Sequence, residues 1–333
     1  MMSNQHCKQA TNPRTNIPFE RVLKDDAPKA VYYSRKDEPK SVVHWGQRKL
    51  LMSEIEFIQM CLTPLGQRVV VIYAGAAPGT HVAILSEMFP EHRFVLVDPA
   101  VFHPKLKVDG DRIITINALF SDELAQALKA EYAEWTVLFI CDIRSSDHTR
   151  AVGDEDEARI KIDMEAQARW HRLIRPFMSM LKFRLPYSAG TTTYLDGQIY
   201  LPVWGPPCTT ECRLIVDTDA GEKVYDHTDH EQKMFYFNTT TRPALYDHGI
   251  RGCGIDHCYD CKAEIGILRN YLGGRKATNK DIAKYSESIS KKISRTRTLA
   301  SPNPDPEARI HGIRKSQWVN GMPAYEAAAA AHN

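Results

Sequence analysis

The chain of 333 residues has no apolar run approaching the roughly 18 residues that a membrane-spanning helix requires. Its N-terminus, MMSNQHCKQATNPRTN, has no apolar core of the kind a secretory signal carries. Charge of one sign is also missing: 43 Lys and Arg stand against 41 Asp and Glu, a formal net charge of +2. A nucleic-acid partner would therefore meet a local basic surface and not a global field. The eight cysteines lie scattered in apolar segments, as at Cys61, Cys141 and Cys212, which suits reduced core thiols better than a disulfide framework. No internal repeat is present. These absences exclude a helical membrane protein and a disulfide-stapled module, and they predict a cytoplasmic protein in a reducing compartment with no membrane partner.

A hydrophobic content of 43% is enough for a substantial core. Residues 1–40 are polar, bear prolines and follow no period, so they read as a partly ordered arm, with Tyr32 and Tyr33 its conspicuous aromatics. From Gly46 to Leu62 apolar residues recur at Leu51, Ile55, Ile58 and Leu62, the spacing of an amphipathic helix. Beyond it, RVVVIYA, FVLVD, RIITINA and TVLFICD alternate with helical stretches, which predicts a parallel sheet with crossover helices. A helix is expected over 155–175, ended by Pro176. FMSMLKFR, GQIYLPVW and ECRLIVD then follow without long helices, so the sheet should finish antiparallel. Residues 256–272 look helical. The segment 275–297 holds eight Lys or Arg against two acids and reads as a flexible basic tail. The expected division is therefore 1–40 arm, 41–272 catalytic domain and 273–333 tail.

YAGAAPGTH, residues 73–81, is a glycine-rich turn between a strand and a helix, where backbone can approach a ligand through Gly75 and Gly79. It lacks both the third glycine of a dinucleotide fingerprint and the Gly-Lys-Ser/Thr of a phosphate loop. Asp98 ends the next strand, where the ribose hydroxyls of a nucleoside would be held. Together they suggest a nucleoside without a pyrophosphate, a description that S-adenosylmethionine meets. Asp142 ends a third strand on the same sheet edge, and Lys182 and Glu211 interrupt otherwise apolar runs. A buried charge is costly unless paired or used. Strand-end acids and edge-strand charges also occur without function.

Seven motifs in collinear order, GQRKLL, YAGAAPGTH, LVD, ICDIRS, LKFRLPY, TECRL and EQKMFYFN, resemble those of the poxvirus cap-specific mRNA 2'-O-ribose methyltransferase and poly(A) polymerase small-subunit family, from about residue 40 to 272. The resemblance implies a Rossmann-like class I methyltransferase fold of α/β class, with a mostly parallel sheet and helices on both faces. It implies S-adenosylmethionine as cofactor, the capped mRNA 5' end as substrate and the catalytic subunit of a viral poly(A) polymerase as partner. Lys49, Asp142, Lys182 and Glu211 match the family's Lys-Asp-Lys-Glu tetrad, in which Lys182 is the base. Burial and the neighbouring Lys49 would favour a neutral amine there, while the two acids would orient it. Cofactor positions carry over to Gln47, Tyr73, Gly75, Ala76, Pro78, Gly79, Asp98 and Phe120; Tyr73 and Phe120 could equally be core aromatics. Where the family has an arginine two residues after the strand-end acid, Ala100 stands here.

A methylated guanine is a cationic base that aromatic rings can stack and a carboxylate can accept from. By resemblance that role falls to Tyr187 and Glu231, with Tyr32 or Tyr33 supplying an opposing ring. Cys208 replaces the aromatic that the family has three residues before the tetrad glutamate. Arg144, Arg184, Thr209 and Thr210 flank the tetrad and are expected to touch the first transcribed nucleotides. Cys253, Cys258 and Cys261, with His248 and His257, raise the question of zinc. With no second CxxC to complete a usual site, they read as thiols of a packed helix, and no metal is expected.

Overall fold

The computed structural model describes residues 10–33, 45–62, 68–145, 154–251, 255–273 and 276–293, together with the backbone of two short strands between 318 and 323. Nine strands build the body: β1 (Val69–Ala74), β2 (Arg93–Val97), β3 (Ile113–Ile116), β4 (Thr136–Cys141), β5 (Met178–Phe183), β6 (Thr191–Leu195), β7 (Gln198–Tyr200), β8 (Cys212–Asp217) and β9 (Glu222–Asp226). Seven of them form one sheet in the order β3-β2-β1-β4-β5-β8-β7. The first five run parallel, whereas β8 runs antiparallel to β5 and β7 antiparallel to β8. Every residue of β1 is buried, as a strand covered on both faces must be. The direction of winding reverses between β1 and β4, which opens a crevice at their carboxyl ends, the usual ligand position in such a sheet.

One helical layer consists of α1 (Gly46–Leu62), α2 (Thr80–Met88), α6 (Tyr259–Tyr271) and α7 (Asn279–Ile293), in which α1 packs on α2 and α6, and α7 on α6 and α2. A second pairs α3 (Asp122–Glu131) with α4 (Asp154–Ile174). Asp226 caps α5 (His227–Tyr236) by accepting from the Asp229 amide, and the helix runs on into a π-helical turn at Phe237–Thr241. Strands β6 and β9 pair antiparallel beside the main sheet. Among the described residues no helix is long and apolar enough to cross a membrane.

Two features differ in kind from what composition suggested. The basic tail expected from residue 275 is, over Asn279–Ile293, a packed helix: Ile282, Ser286, Ile289 and Ser290 face inward while Lys280, Lys284, Lys291 and Lys292 face water. The charge count concealed the inward stripe because half of that stripe is serine. Those serines serve Arg48, which is fully buried and bonds Ser286 Oγ at 3.0 Å, Ser290 Oγ at 2.9 Å and Glu264 Oε2 at 2.7 Å. The rest of the expected tail lies outside the described residues, apart from the two short strands.

Residues 10–33 of the arm run along the body. Leu23 donates to the Ile199 carbonyl at 2.7 Å and Leu201 donates back to Arg21 at 2.8 Å, so the arm covers the β7 edge of the sheet. Arg21 then forks onto Glu56 of α1 at 2.8 and 2.9 Å.

Candidate active site

The turn after β1 is built by backbone proximity. Gly75 has φ 80°, and a Cβ there would sit 2.8 Å from the Ile143 amide nitrogen and 2.9 Å from the Asp142 carbonyl carbon. Gly75 thus lets the segment after β4 pass close against the turn. Gly79, at φ 70°, is the left-handed residue before α2. Ala76 is buried and Pro78 exposed on the same turn. Asp98, at the end of β2, ties the turn down: its carboxylate accepts from the Ala77 amide at 3.0 Å and the Ala100 amide at 2.8 Å. Burial raises the Asp98 pKa, and these two bonds oppose the rise. The Ala100 backbone is therefore a partner of Asp98, and its carbonyl also accepts from Asn117 at 3.0 Å.

Gln47 on α1 bonds Thr80 Oγ1 and, at 2.9 Å, His81 Nδ1, so it anchors the first turn of α2. Below it Glu54 joins Tyr73 Oη at 2.8 Å and His81 Nε2 at 2.9 Å. Tyr73 is 1% exposed, a core residue under the turn. Phe120 is likewise buried, with ring centroids 4.8 Å from Trp170 and 5.7 Å from Phe139. Glu54, a buried acid about two helical turns along α1 from Gln47, is a supporting residue that the sequence motifs did not single out.

The four charges converge at the neighbouring carboxyl ends. In the β5–β8 ladder Lys182 stands opposite Arg213, so both point to one face, and Glu211, two residues before Arg213, shares it. Asp142 follows β4 beside Lys182, and Lys49 reaches in from α1. Lys49 Nζ lies 2.7 Å from Glu211, and Lys182 Nζ lies 3.2 Å from Asp142 and 3.7 Å from Glu211. Arg213 binds Asp142 at 2.7 Å and Glu211 at 3.3 Å, and Arg144 reaches Glu211 at 3.4 Å. Four cations, Lys49, Arg144, Lys182 and Arg213, face two acids, a formal excess of two positive charges suited to an anionic chain.

Burial alone would raise the Asp142 and Glu211 pKa values. Lys182, followed by Arg213 and Lys49 at Asp142 and by Lys49 and Arg213 at Glu211, outweighs it, and Glu211 is held well below the usual carboxylate range. Both are acceptors only. Burial lowers the Lys49 pKa, with Glu211 opposing.

Thr209 and Thr210 hold Glu211 in place. Thr209 Oγ1 accepts from the Glu211 amide at 3.0 Å, and the Thr210 carbonyl accepts from His230 Nε2 at 2.9 Å. Arg184 pairs with Glu157 at 2.6 Å and lies 4.2 Å from the ring centre of Tyr187, which is 46% exposed. The loop after Tyr187 is fixed to α5, because the Ser188 carbonyl accepts from His227 Nδ1 at 2.7 Å. His227, Glu231 and Phe235 lie at successive i, i+4 positions of α5. Phe235 meets Tyr32 edge-on at 5.4 Å and Tyr33 at 5.1 Å. Glu231 is thus flanked along its helix by the attachment of the Tyr187 loop and by two exposed arm tyrosines, and burial raises its pKa.

Residues 19–287 match a family model described as the poly A polymerase regulatory subunit. The chain belongs to that family. Among its relatives, a cap-specific mRNA (nucleoside-2'-O-)-methyltransferase of Myxoma virus (strain Lausanne) is 26% identical over 242 residues, which cover 67% of this chain and 70% of the relative. A protein of the same description from Fowlpox virus (strain NVSL) is 25% identical over 223 residues, 60% of this chain and 68% of its own. A solved structure of bluetongue virus VP4, described as a multifunctional RNA-capping production line, overlaps 71% of this chain and 36% of that one, at a TM-score of 0.43 and 13% identity. The family match spans β1 to β9 and most of α7, so the packed helix at the end of the body lies within it.

Proposed function

We propose that the chain transfers a methyl group from S-adenosylmethionine to the 2'-hydroxyl of the first nucleotide of a capped mRNA, a reading in keeping with the relatives' descriptions. The observation that carries it is the convergence of Lys49, Asp142, Lys182 and Glu211 beside a glycine turn that an acid braces.

The donor, when bound, presents a methyl on a positively charged sulfur, already activated toward a nucleophile. Asp98 and the Gly75–Gly79 turn would hold it. Asp98 fits the nucleoside end, since each carboxylate oxygen keeps an acceptor site beyond its backbone bond. The chain's own residues then position the poor nucleophile. Lys182, oriented by Asp142 and Glu211 and reacting as the free amine, takes the hydroxyl proton as the 2'-oxygen bonds to the methyl carbon and the carbon–sulfur bond breaks. Arg213 helps keep both carboxylates ionised, and Arg144 adds to this at Glu211. Tyr187 and an arm tyrosine would stack the methylated guanine, with Glu231 accepting from its edge.

Transfer of labelled methyl to capped and uncapped forms of one short RNA tests the reading. Labelling of the capped form only is expected, and equal labelling of both sinks cap recognition. In Lys182→Ala the rate should fall by about 10²- to 10⁴-fold with cofactor affinity intact; a fully active variant refutes Lys182 as base. The family description supports a second, compatible reading, an RNA-binding stimulatory subunit for a viral poly(A) polymerase. Tight RNA binding with no methyl transfer to either RNA would favour it.

A further inference from the structure

Where the arm meets the start of α6, three metal-ligating side chains come together outside the site described above. One carboxylate oxygen of Asp256 and the sulfurs of Cys258 and Cys261 all lie within 4.8 Å of one another. Both cysteines are buried, at 0% and 1% exposure. We infer that Asp256, Cys258 and Cys261 form a zinc site that fastens the N-terminal arm to the body.

The donor set fits that metal. Two thiolates and a carboxylate form a mixed sulfur and oxygen set that suits zinc and disfavours calcium or magnesium. Bonds of about 2.0–2.3 Å to a tetrahedral zinc place neighbouring ligand atoms about 3.3–3.8 Å apart, so the cluster closes on an ion with shifts of an ångström or less. Binding converts two thiols to thiolates and releases two protons.

The three donors are held by their own backbone contacts. Cys258 is the residue before α6, and its sulfur accepts from the Cys261 amide at 3.4 Å. Asp256 bonds the Cys258 amide at 2.9 Å through Oδ1 and the Ala10 amide at 2.8 Å through Oδ2. His248 supports from behind, its Nε2 bonding the Asp256 carbonyl at 2.7 Å. The second of these carboxylate bonds joins the arm to the site, so an ion held by Asp256 also fixes residue 10. Cys253 lies outside the described residues, as does Cys7; in the chain they stand three residues from Asp256 and Ala10 respectively.

Elemental analysis of the full chain, purified without chelators, should give about one zinc per chain. Cobalt exchanged into it should show the near-ultraviolet absorption of thiolate-to-metal charge transfer. Cys258→Ser and Cys261→Ser should lose both signals, Asp256→Asn should weaken metal affinity by at least the roughly 10- to 100-fold that loss of a contact merely supporting a ligand costs, and Cys208→Ser should keep them. Removing the metal should make the arm segment 10–33 more sensitive to a protease. A chain that carries no zinc and takes up cobalt without that absorption overturns the inference, as does metal retained by both serine variants or a Cys258–Cys261 disulfide in the fresh protein. Arm proteolysis unchanged by metal removal overturns the fastening role. If the serine variants do not fold, metal content and the cobalt spectrum of the natural chain still decide.

Discussion

Arg213 is the residue that joins the two acids of the tetrad, at 2.7 Å to Asp142 and 3.3 Å to Glu211. A guanidinium spans two carboxylates with a rigid fork, whereas an ammonium on a flexible stem does not. We therefore expect Arg213→Lys to slow methyl transfer by about 10- to 100-fold through loss of one charge-assisted bond, with cofactor affinity changed little. Single-turnover rates together with equilibrium cofactor binding check this; an unchanged rate would show that the fork is dispensable. Lys182 and Glu211 were visible in the sequence because each breaks an apolar run. Arg213 breaks the same run as Glu211, but what gives it meaning is its pairing opposite Lys182, and strand register between distant segments leaves no local trace. Tyr73 shows the opposite limit. Its place beside the glycines suggests a ligand contact, yet a strand-interior position next to the buried Glu54 makes it core.

Among the elements, α5 links the cap candidates to the tetrad through one histidine. His230 donates to the Thr210 carbonyl, one residue before Glu211, and burial lowers its pKa to about 4. Its native state thus requires the neutral ring. Above pH 6.5 neither the folded nor the unfolded chain protonates it, and the stabilisation is complete. As the pH falls from 6.5 toward 4 the unfolded chain takes up the proton first, and stability is lost by up to roughly 3 kcal/mol. His171, also near 4 and bonded to Ser179 at 2.7 Å, adds to the loss. Urea melts over this range should show a shallower decline in His230→Gln than in the parent; an identical slope refutes the assignment. The parallel strands, the antiparallel finish and α1 were legible because periodicity and β-rich runs report burial directly. The β6–β9 pair was not, since TTTYL and EKVYD are polar, short and half exposed.

For the molecule as a whole, the two ends of the described chain hold the body together. The arm seals the sheet edge, and α7 covers the buried Arg48–Glu264 pair with two serine hydroxyls. A chain ended after Lys276 would expose that pair and leave α2 and α6 bare on one side. A hydrogen bond to a charged group is worth about 1.5–3 kcal/mol, and Ile282 and Ile289 lose their burial as well, so the truncated chain should melt well below the parent, and equal melting temperatures would show α7 to be an accessory. The body thus extends beyond the boundary that composition placed at residue 272. A basic tally cannot distinguish a solvated tail from a helix whose polar inward face satisfies a buried arginine.

Arg48 and Glu264 lie 216 residues apart in the chain. During synthesis at about 5–20 residues per second, on the order of 10–40 s separates the emergence of one from that of the other, and the serines of α7 come later still. Over that interval the nascent chain carries Arg48 without its acid and leaves the face of α1 that α6 will cover open. Chaperone occupancy on the ribosome should therefore begin near α1 and end only when α7 has cleared the exit tunnel.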